Sequence, residues 1–420
     1  MKPRILEDRG IVRPAGGSVA MAIAAFAIAA LASCATAGTA GNDIETAVAR
    51  VAARTGNKSL TVGPISNDLP MFRMVTAKGK PRELGRALGM IGIESGYPFP
   101  AVPEERRKQN EAIFALYREV YPAYIERVAG VAEAYGRKTE DLDLAFMEDQ
   151  YHLRMWLDGY GVKKSTSLGF PACSVIATRS SSGGTVVGRN LDTLNLTGFL
   201  VRSEVQGGYK SINTSGGAFH EWAIDGINEK GLFVGEMTIV DPAYAANLSQ
   251  AYPEKPSVYG LHMMRIVLDT CASVDEAVAL FGRVPVWFTD ELWHFFLADA
   301  SGKFAVVEYG KNRQLAITRQ TGGVLVSTNT SLMEGRESLM KCPRYAIADK
   351  YVAEHGADGI ATHASMAELM KLLALREDNP RYPSVIGIRA TLWTTTYDLA
   401  DRTMVIRYWE DGYKERKLGF

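Results

Sequence analysis

The chain has no excess of charge of either sign, because its 47 Lys and Arg residues equal its 47 Asp and Glu residues. Without a basic surplus, nucleic acid is not an expected partner. Cysteine is scarce, and the four residues are too few and too scattered for a disulfide framework or a Cys-x-x-Cys metal site. The six histidines suggest no metal site either, and no cofactor is expected. What remains, at 47% apolar and 22% charged residues, is the composition of a globular protein.

A long hydrophobic run is also missing. The N-terminal apolar stretch, Val19–Ala32, has 14 residues, fewer than the roughly 20 that cross a bilayer as a helix. It follows a basic start and precedes small residues, which is typical of a secretory signal peptide. Leu31-Ala-Ser-Cys34 resembles the lipobox of bacterial lipoproteins, with Cys34 as the lipidated residue. Cleavage after Ala35-Thr-Ala37 and a retained anchor are the alternatives. All three place the mature chain outside the cytoplasm, in the periplasm or anchored to a membrane.

The sequence divides into four segments by composition and pattern. Residues 1–34 are the predicted signal peptide, and 35–58, rich in Ala, Gly and Thr, are a predicted linker. Residues 59–172 are mostly helical in pattern, whereas 173–420 carry short β-branched runs separated by turn residues. Strands joined mainly by hairpins, with helices between them, predict an α+β domain of layered antiparallel sheets rather than a doubly wound fold.

The predicted elements follow apolar periodicity and local signals, among them a hairpin turn at Asp299-Ala-Ser-Gly302 and a Ser273-x-x-Glu276 capping box before a helix. The helices are Arg82–Met90, Glu104–Tyr121, Tyr124–Tyr135, Leu142–Leu157, Tyr259–Leu268, Val274–Phe281, Arg344–His355 and Met366–Leu375. The strands are Ser174–Thr178, Thr185–Arg189, Leu232–Ile239, Trp293–Leu297, Phe304–Tyr309, Leu315–Thr318, Gly323–Ser327, Thr391–Tyr397 and Thr403–Trp409.

The most informative motif is a hairpin that begins near Cys173. Three two-residue turns are compatible with Ser181–Gly184, and they place Cys173 opposite residue 190, 192 or 194. Cys173 therefore lies beside Arg189 and Asp192. A cation next to a thiol favours the thiolate, and a carboxylate there can hold an ammonium group. Because residues three apart face opposite sides of a flat strand, both can serve one site only if the strand bends or ends near Asn190.

This motif resembles the N-terminal nucleophile (Ntn) hydrolases that act on linear amide C–N bonds. The similar branches are choloylglycine hydrolase and penicillin V acylase, acid ceramidase and N-acylethanolamine acid amidase, and the penicillin acyltransferase-like enzymes. In them a cysteine begins the first strand after self-cleavage, with an arginine 16 and an aspartate 19 positions later, as Arg189 and Asp192 follow Cys173 here. The resemblance implies a four-layer αββα sandwich from about Cys173 to Phe420, preceded by a helical pro-region.

Further matches follow in order along the chain. Val326-Ser-Thr-Asn-Thr330 resembles the strand end that carries the oxyanion asparagine, here Asn329, and Cys342-Pro-Arg-Tyr345 resembles the later active-site arginine, here Arg344. The family's second oxyanion residue is an asparagine in the choloylglycine branch. Thr238 occupies that position here, and its backbone N–H can take that role. Ala172 precedes the nucleophile where the acyltransferase-like branch has glycine.

The resemblance implies that the Cys173 sulfur attacks the Ala172 carbonyl, and that hydrolysis releases the residues before 173. The new α-amino group, with an ordinary pKa of about 7.7–8.0, then serves as general base. Arg189 favours the thiolate, Asp192 positions the amine, Asn329 and Thr238 donate to the oxyanion, and Arg344 holds the array. The expected partner is a small N-acyl amide; the sequence predicts no oligomeric state.

Two alternatives stay open at this stage. The same acyl-thioester can pass to an amine instead of water, which would make the protein an acyltransferase. A rival from another class is an envelope lipoprotein that binds amides without being processed at Ala172–Cys173.

Overall fold

The computed structural model describes residues 44–64, 72–144, 172–193, 198–215, 223–239, 255–288, 292–310, 314–376, 390–409 and 412–420. Cys34, the predicted signal peptide and its lipobox lie outside these ranges, as does most of the predicted helix Leu142–Leu157. Residues 42–420 group into one unit by their contacts.

Nine α-helices lie within the described ranges. They are α1 Ile44–Thr55, α2 Pro81–Glu94, α3 Arg107–Val120, α4 Pro122–Ala134, α5 Gly260–Thr270, α6 Val274–Arg283, α7 Gly335–Leu339, α8 Pro343–His355 and α9 His363–Leu373. Their starts obey local chemistry: Pro122 and Pro343 occupy first-turn positions, where no backbone N–H is needed. The Ser273 hydroxyl accepts from the Glu276 N–H at the start of α6, as the predicted capping pattern requires.

The described strands form two large sheets and one short parallel pair. The strands are β1 Leu60–Pro64, β2 Phe72–Gly79, β3 Ala172–Arg179, β4 Thr185–Thr193, β5 Gly198–Val205, β6 Ser211–Ser215, β7 Asp225–Asn228, β8 Leu232–Ile239, β9 Val258–Tyr259, β10 Val286–Trp287, β11 Leu292–Asp299, β12 Lys303–Tyr309, β13 Leu315–Thr321, β14 Gly323–Ser327, β15 Ala390–Asp398, β16 Thr403–Tyr408 and β17 Lys414–Gly419. One sheet has the order β1-β2-β5-β6-β7-β8-β11-β12-β13, and the other has the order β14-β3-β4-β15-β16-β17.

Three apolar clusters define the layers. The first joins the outer face of the nine-stranded sheet to α5 and α6. The second lies between the sheets, where the rings of Phe233 on β8 and Tyr397 on β15 are 4.9 Å apart at their centroids. The third joins the six-stranded sheet to α8 and α9, with Ile176 and Val186 packed in the same cluster as Met366. The order helices, sheet, sheet, helices is the predicted αββα sandwich, so the predicted fold is confirmed.

Close packing explains one glycine at the interface of β4 and α9. A Cβ on Gly188 would lie 2.6 Å from Cγ of Met366. Only a residue without a side chain lets the helix approach the strand at this distance. The helix layer is therefore fixed directly above the strand that carries Arg189 and Asp192.

The N-terminal part departs from the prediction in two places. Residues 44–55, predicted as linker, form α1, because Ala47, Val48 and Val51 make an apolar stripe that is buried against the core. Residues 59–172, predicted as helical, also supply β1 and β2. Strand β2 pairs in parallel with β5 along its full length, which makes this the one parallel contact among the described strands of the two large sheets.

Candidate active site

Cys173 is the second residue of β3 and is fully buried. It pairs with Leu191 of β4, so all three predicted registers are wrong, the pairings with residues 190 and 192 by one position and the pairing with 194 by three. The reason lies in the turn: the Ser180 N–H donates to the Gly184 carbonyl at 2.9 Å, which makes a three-residue loop centred on Ser182 instead of a two-residue loop. Directly opposed residues share a face, so the Cys173 side chain faces the space between the sheets.

Arg189 lies on the same face, because it pairs with Val175, two residues after Cys173. Its Nη2 is 3.4 Å from the Cys173 sulfur. The structure therefore brings the predicted cation to the predicted nucleophile.

Two carboxylates that the sequence analysis did not single out hold Arg189 in place. Asp225 of β7 accepts a hydrogen bond from Arg189 Nη1 at 3.1 Å. Glu236 of β8 accepts from Arg189 Nη2 twice, at its backbone carbonyl oxygen at 2.9 Å and at its carboxylate Oε1 at 3.4 Å. Asp225 also accepts from Tyr397, at 2.6 Å, and from Thr395, at 2.8 Å. A buried carboxylate is stable only with such partners. The sequence predicts the strand Leu232–Ile239, which contains Glu236, but no element at Asp225, and nothing local assigns either carboxylate to the site.

Asp192 lies on the opposite face of β4, as a flat strand requires. The predicted bend is wrong: the β3–β4 pairing runs without a shift from Asp192 to Thr185, and the only irregularity is a bulge on β15 opposite Leu191. Asp192 accepts from Arg344 Nη1 at 3.0 Å and from Thr391 Oγ1 at 2.5 Å. It therefore reaches Cys173 through Arg344 rather than from the inner face.

The backbone of Cys173 is held from this outer side. Arg344 Nη1 donates to the Cys173 carbonyl at 2.6 Å, and the Cys173 N–H donates to Asn329 Oδ1 at 2.7 Å. Arg344 Nη2 donates to the same Asn329 oxygen at 2.7 Å. The Cys173 nitrogen, which the resemblance assigns to Asp192, is thus held by Asn329 in this intact chain.

Thr238 meets the site through its carbonyl. Asn329 Nδ2 donates to the Thr238 oxygen at 2.6 Å, whereas the predicted contribution of Thr238 was its backbone N–H. Ala172, the residue before the predicted nucleophile, pairs with Asp192 in the β3–β4 ladder. All predicted site residues in the described ranges therefore lie in one cluster around Cys173.

Burial dominates the electrostatics of the sulfur. It raises the pKa of the Cys173 thiol to about 12, although Arg189 lowers it; Glu236 and Asp192 raise it further. Burial also raises the pKa of Asp192, against the opposing effects of Arg344 and Thr391. In the intact chain the sulfur is therefore a protonated thiol held beside a guanidinium. In the described part of the chain, no group of three or more His, Cys, Asp or Glu residues could hold a metal ion.

A family model for acyl-coenzyme A:6-aminopenicillanic acid acyl-transferase matches residues 179–411, more than half of the chain. The chain belongs to this family. The matched range contains Arg189, Asp192, Asn329 and Arg344, but it begins six residues after Cys173. The sequence-based assignment to the Ntn hydrolases of the linear amide class is confirmed, and with it an enzyme of the amide hydrolase or acyltransferase type. A comparison with curated proteins finds no significant match.

Solved structures that are similar to the chain include the following three. Penicillin V acylase from Agrobacterium tumefaciens is 19% identical, with a TM-score of 0.41 over 56% of this chain and 83% of that one. A conjugated bile acid hydrolase from Clostridium perfringens is 15% identical, with a TM-score of 0.43 over 59% of this chain and 97% of that one. A Caenorhabditis elegans ortholog of N-acylethanolamine-hydrolyzing acid amidase is 17% identical, with a TM-score of 0.42 over 54% and 93%.

Proposed function

We propose that the chain is a self-processing cysteine amidohydrolase that cleaves a linear amide of an N-acylated small molecule through an acyl-thioester on Cys173. One observation carries the proposal: three different side chains hold the three polar atoms of residue 173. Arg189 lies at the sulfur, Asn329 at the nitrogen and Arg344 at the carbonyl oxygen. A cysteine with a merely structural role needs no such set of partners.

Self-cleavage begins with the Cys173 sulfur attacking the Ala172 carbonyl carbon. A C–S bond forms, the C–N bond breaks, and the thiol proton moves to the departing nitrogen. Water then hydrolyses the thioester, which leaves a carboxylate on Ala172, a free thiol and an α-amino group on Cys173. The N-terminal part stays attached after this cut, because β2 is paired with β5 and α1 is packed in the shared core. We therefore propose that the residues before 173 remain bound after the cut, although the resemblance implies their release.

Turnover uses the new α-amino group as the base. Its ordinary pKa of about 7.7–8.0 suits proton transfer near neutral pH. The amine takes the thiol proton, the sulfur attacks the substrate carbonyl, and the protonated amine passes its proton to the leaving nitrogen. Asn329 Nδ2 releases the Thr238 carbonyl and donates instead to the oxyanion. Loss of a hydrogen bond to the oxyanion typically costs about 10²–10³ in rate. Water finally releases the acid and restores the thiol.

Intact mass of the purified protein tests the first half of the proposal. The wild type is expected as two fragments cut between Ala172 and Cys173, while Cys173→Ala stays a single chain. A panel of N-acyl amides with varied acyl length and head group, including penicillin V, a conjugated bile acid and an N-acylethanolamine, tests the second half. A wild type that stays intact like Cys173→Ala and turns over no amide supports an amide-binding envelope protein instead.

The family match itself favours acyl transfer as a second candidate, because its description names an acyl-transferase. Both reactions share the acyl-thioester and differ in what attacks it. Adding an amine nucleophile to the assay separates them. Amide formation that exceeds hydrolysis would replace the hydrolase assignment.

We further propose that residues 1–34 export the chain and that Cys34 carries a lipid. Among the helices of the described ranges, none combines the length and apolar character needed to span a bilayer. Fractionation of bacterial cells expressing the wild type and Cys34→Ala is the test. Membrane association that is lost only in Cys34→Ala supports the lipid anchor; equal release of both to the soluble envelope fraction supports simple secretion.

A further inference from the structure

Two ionisable side chains that the proposed mechanism does not use meet between the sheets. His294 of β11 and Glu308 of β12 face each other across the strand pair, and both are fully buried. Nδ1 of His294 lies 3.1 Å from Oε1 of Glu308. Their neighbours on the same face, Phe296 and Val306, belong to the apolar cluster between the sheets. A polar pair in such a layer requires an explanation.

Glu308 also contacts the turn that carries Asn329. Its Oε1 accepts the backbone N–H of Leu332, three residues after Asn329, at 2.9 Å. Asn329 itself donates to the Thr238 carbonyl of β8. The nine-stranded sheet therefore holds this turn at two points, one at the asparagine side chain and one at the backbone just beyond it.

Stability alone does not account for the pair. Nε2 of His294 and Oε2 of Glu308 have no hydrogen-bond partner among the described residues. Unpaired buried polar atoms are costly, and apolar residues of similar volume often replace a buried ionic pair without loss of stability. The hydrogen bond from Glu308 to Leu332, in contrast, cannot be made by an apolar residue.

We propose that His294 and Glu308 are positioning residues for Asn329: Glu308 fixes the backbone of the 329–332 turn, and His294 orients the Glu308 carboxylate by donating to it. This inference rests on the proposed function, in which Asn329 Nδ2 donates to the oxyanion. The pair acts on the reaction only through the position of that amide. Displacements of about 1 Å at such a donor can cost roughly 10²-fold in rate.

The test compares Glu308→Leu with Glu308→Gln in the full-length chain. The Gln oxygen can still accept from Leu332, so Glu308→Gln is expected to keep kcat within about threefold of the wild type. Glu308→Leu is expected to lower kcat per titrated Cys173 by about 10²-fold with little change in KM. Hydrogen exchange at the Leu332 amide is the second readout, and it is expected to accelerate in Glu308→Leu alone.

Val306→Ala is the matched control, because it removes packing on the same strand and face but leaves the hydrogen bond from the Leu332 N–H to Glu308 in place. It is expected to lower Tm but to leave kcat per site and Leu332 exchange unchanged. If Glu308→Leu changes both readouts no more than Val306→Ala does, the inference is wrong. Should Glu308→Leu not fold, the double variant His294→Leu with Glu308→Leu, which leaves no lone buried charge, is measured by the same criteria.

The two readouts separate this inference from the proposed function. If the wild type turns over no amide, the proposed function fails, and Leu332 exchange alone decides whether Glu308 fixes the turn. If the wild type is active but Leu332 exchange is the same in all variants, the positioning role fails while the proposed function stands.

Discussion

The groups on the two faces of the β3–β4 pair contact different atoms of Cys173. On the inner face, Arg189 lies at the sulfur and is enclosed by the carboxylates of Asp225 and Glu236. On the outer face, Arg344 lies at the carbonyl oxygen. The inner contacts act on the charge of the sulfur, and the outer contacts act on the position of the backbone. The inner side of the strand pair thus acts on the charge state of the Cys173 sulfur, and the outer side fixes the orientation of the Cys173 backbone.

The largest difference between the two faces is expected from removing each guanidinium. Arg189→Leu leaves Asp225 and Glu236 buried without their cation, which should lower the free energy of unfolding by about 3–5 kcal/mol. Arg344→Leu should cost clearly less, because Asp192 keeps the hydroxyl of Thr391. Urea unfolding of both variants measures this. Equal losses would mean that the inner carboxylates do not depend on Arg189.

The outer face should matter more for turnover than for stability. Asp192→Asn weakens the hold on Arg344 and through it on the Cys173 carbonyl, so kcat should fall by about 10²-fold. Steady-state kinetics with titration of the Cys173 thiol gives kcat per active site. Ser338→Ala, which removes an exposed hydroxyl beyond the site, is a control that should leave kcat unchanged. A wild-type kcat in Asp192→Asn would mean that the outer-face contacts with the Cys173 backbone do not contribute to turnover.

The buried thiol should make the intact chain sensitive to alkali. The folded-state pKa of Cys173 is about 12, above the roughly 8.5 of an unfolded cysteine, so the folded chain binds the proton more tightly. Stability is therefore lost as pH rises from about 8.5 to 12, by up to about 1.4 kcal/mol per pH unit. Cys173→Ala should lack this loss of stability with rising pH when it is compared with wild-type chain that is still intact between Ala172 and Cys173. Parallel unfolding curves for the two chains across that range would contradict the burial of the thiol.

The smallest effect separates the two carboxylates that raise the thiol pKa. Glu236 on the inner side acts more strongly on Cys173 than Asp192 does. Glu236→Gln should therefore lower the thiol pKa by more than Asp192→Asn. The rate of alkylation against pH, read by mass spectrometry on the peptide that still joins Ala172 to Cys173, reports on the intact chain alone. A larger shift in Asp192→Asn would reverse the roles of the two faces.

The sequence predicted the layers well because hairpins and amphipathic helices have local signals. The turn from Asp299 to Gly302 joins β11 and β12 as expected, and the capped helix after Ser273 forms. Strand β17 was missed because its Lys414–Gly419 stretch is an exposed, charged edge strand without an alternating apolar pattern.

The site was predicted in part for a related reason. Spacing from Cys173 identified Arg189 and Asp192, which lie nearby in the chain. This spacing could not give the register between β3 and β4. A three-residue loop shifts that register by one position relative to a two-residue loop, and the shift decides whether Asp192 lies on the same face as Cys173. Asp225 and Glu236 reach Arg189 from the other sheet, so no local pattern could indicate them.

The pairing of β2 with β5 bears on how the enzyme can be made. A gene that starts at codon 173 would yield a polypeptide whose β5 has an open edge, with Phe199 and Val201 no longer covered by the upstream helices. Such a product would be prone to self-association during synthesis. Laboratory production should therefore begin from the full-length chain, so that β2 and the upstream helices are present while β5 folds.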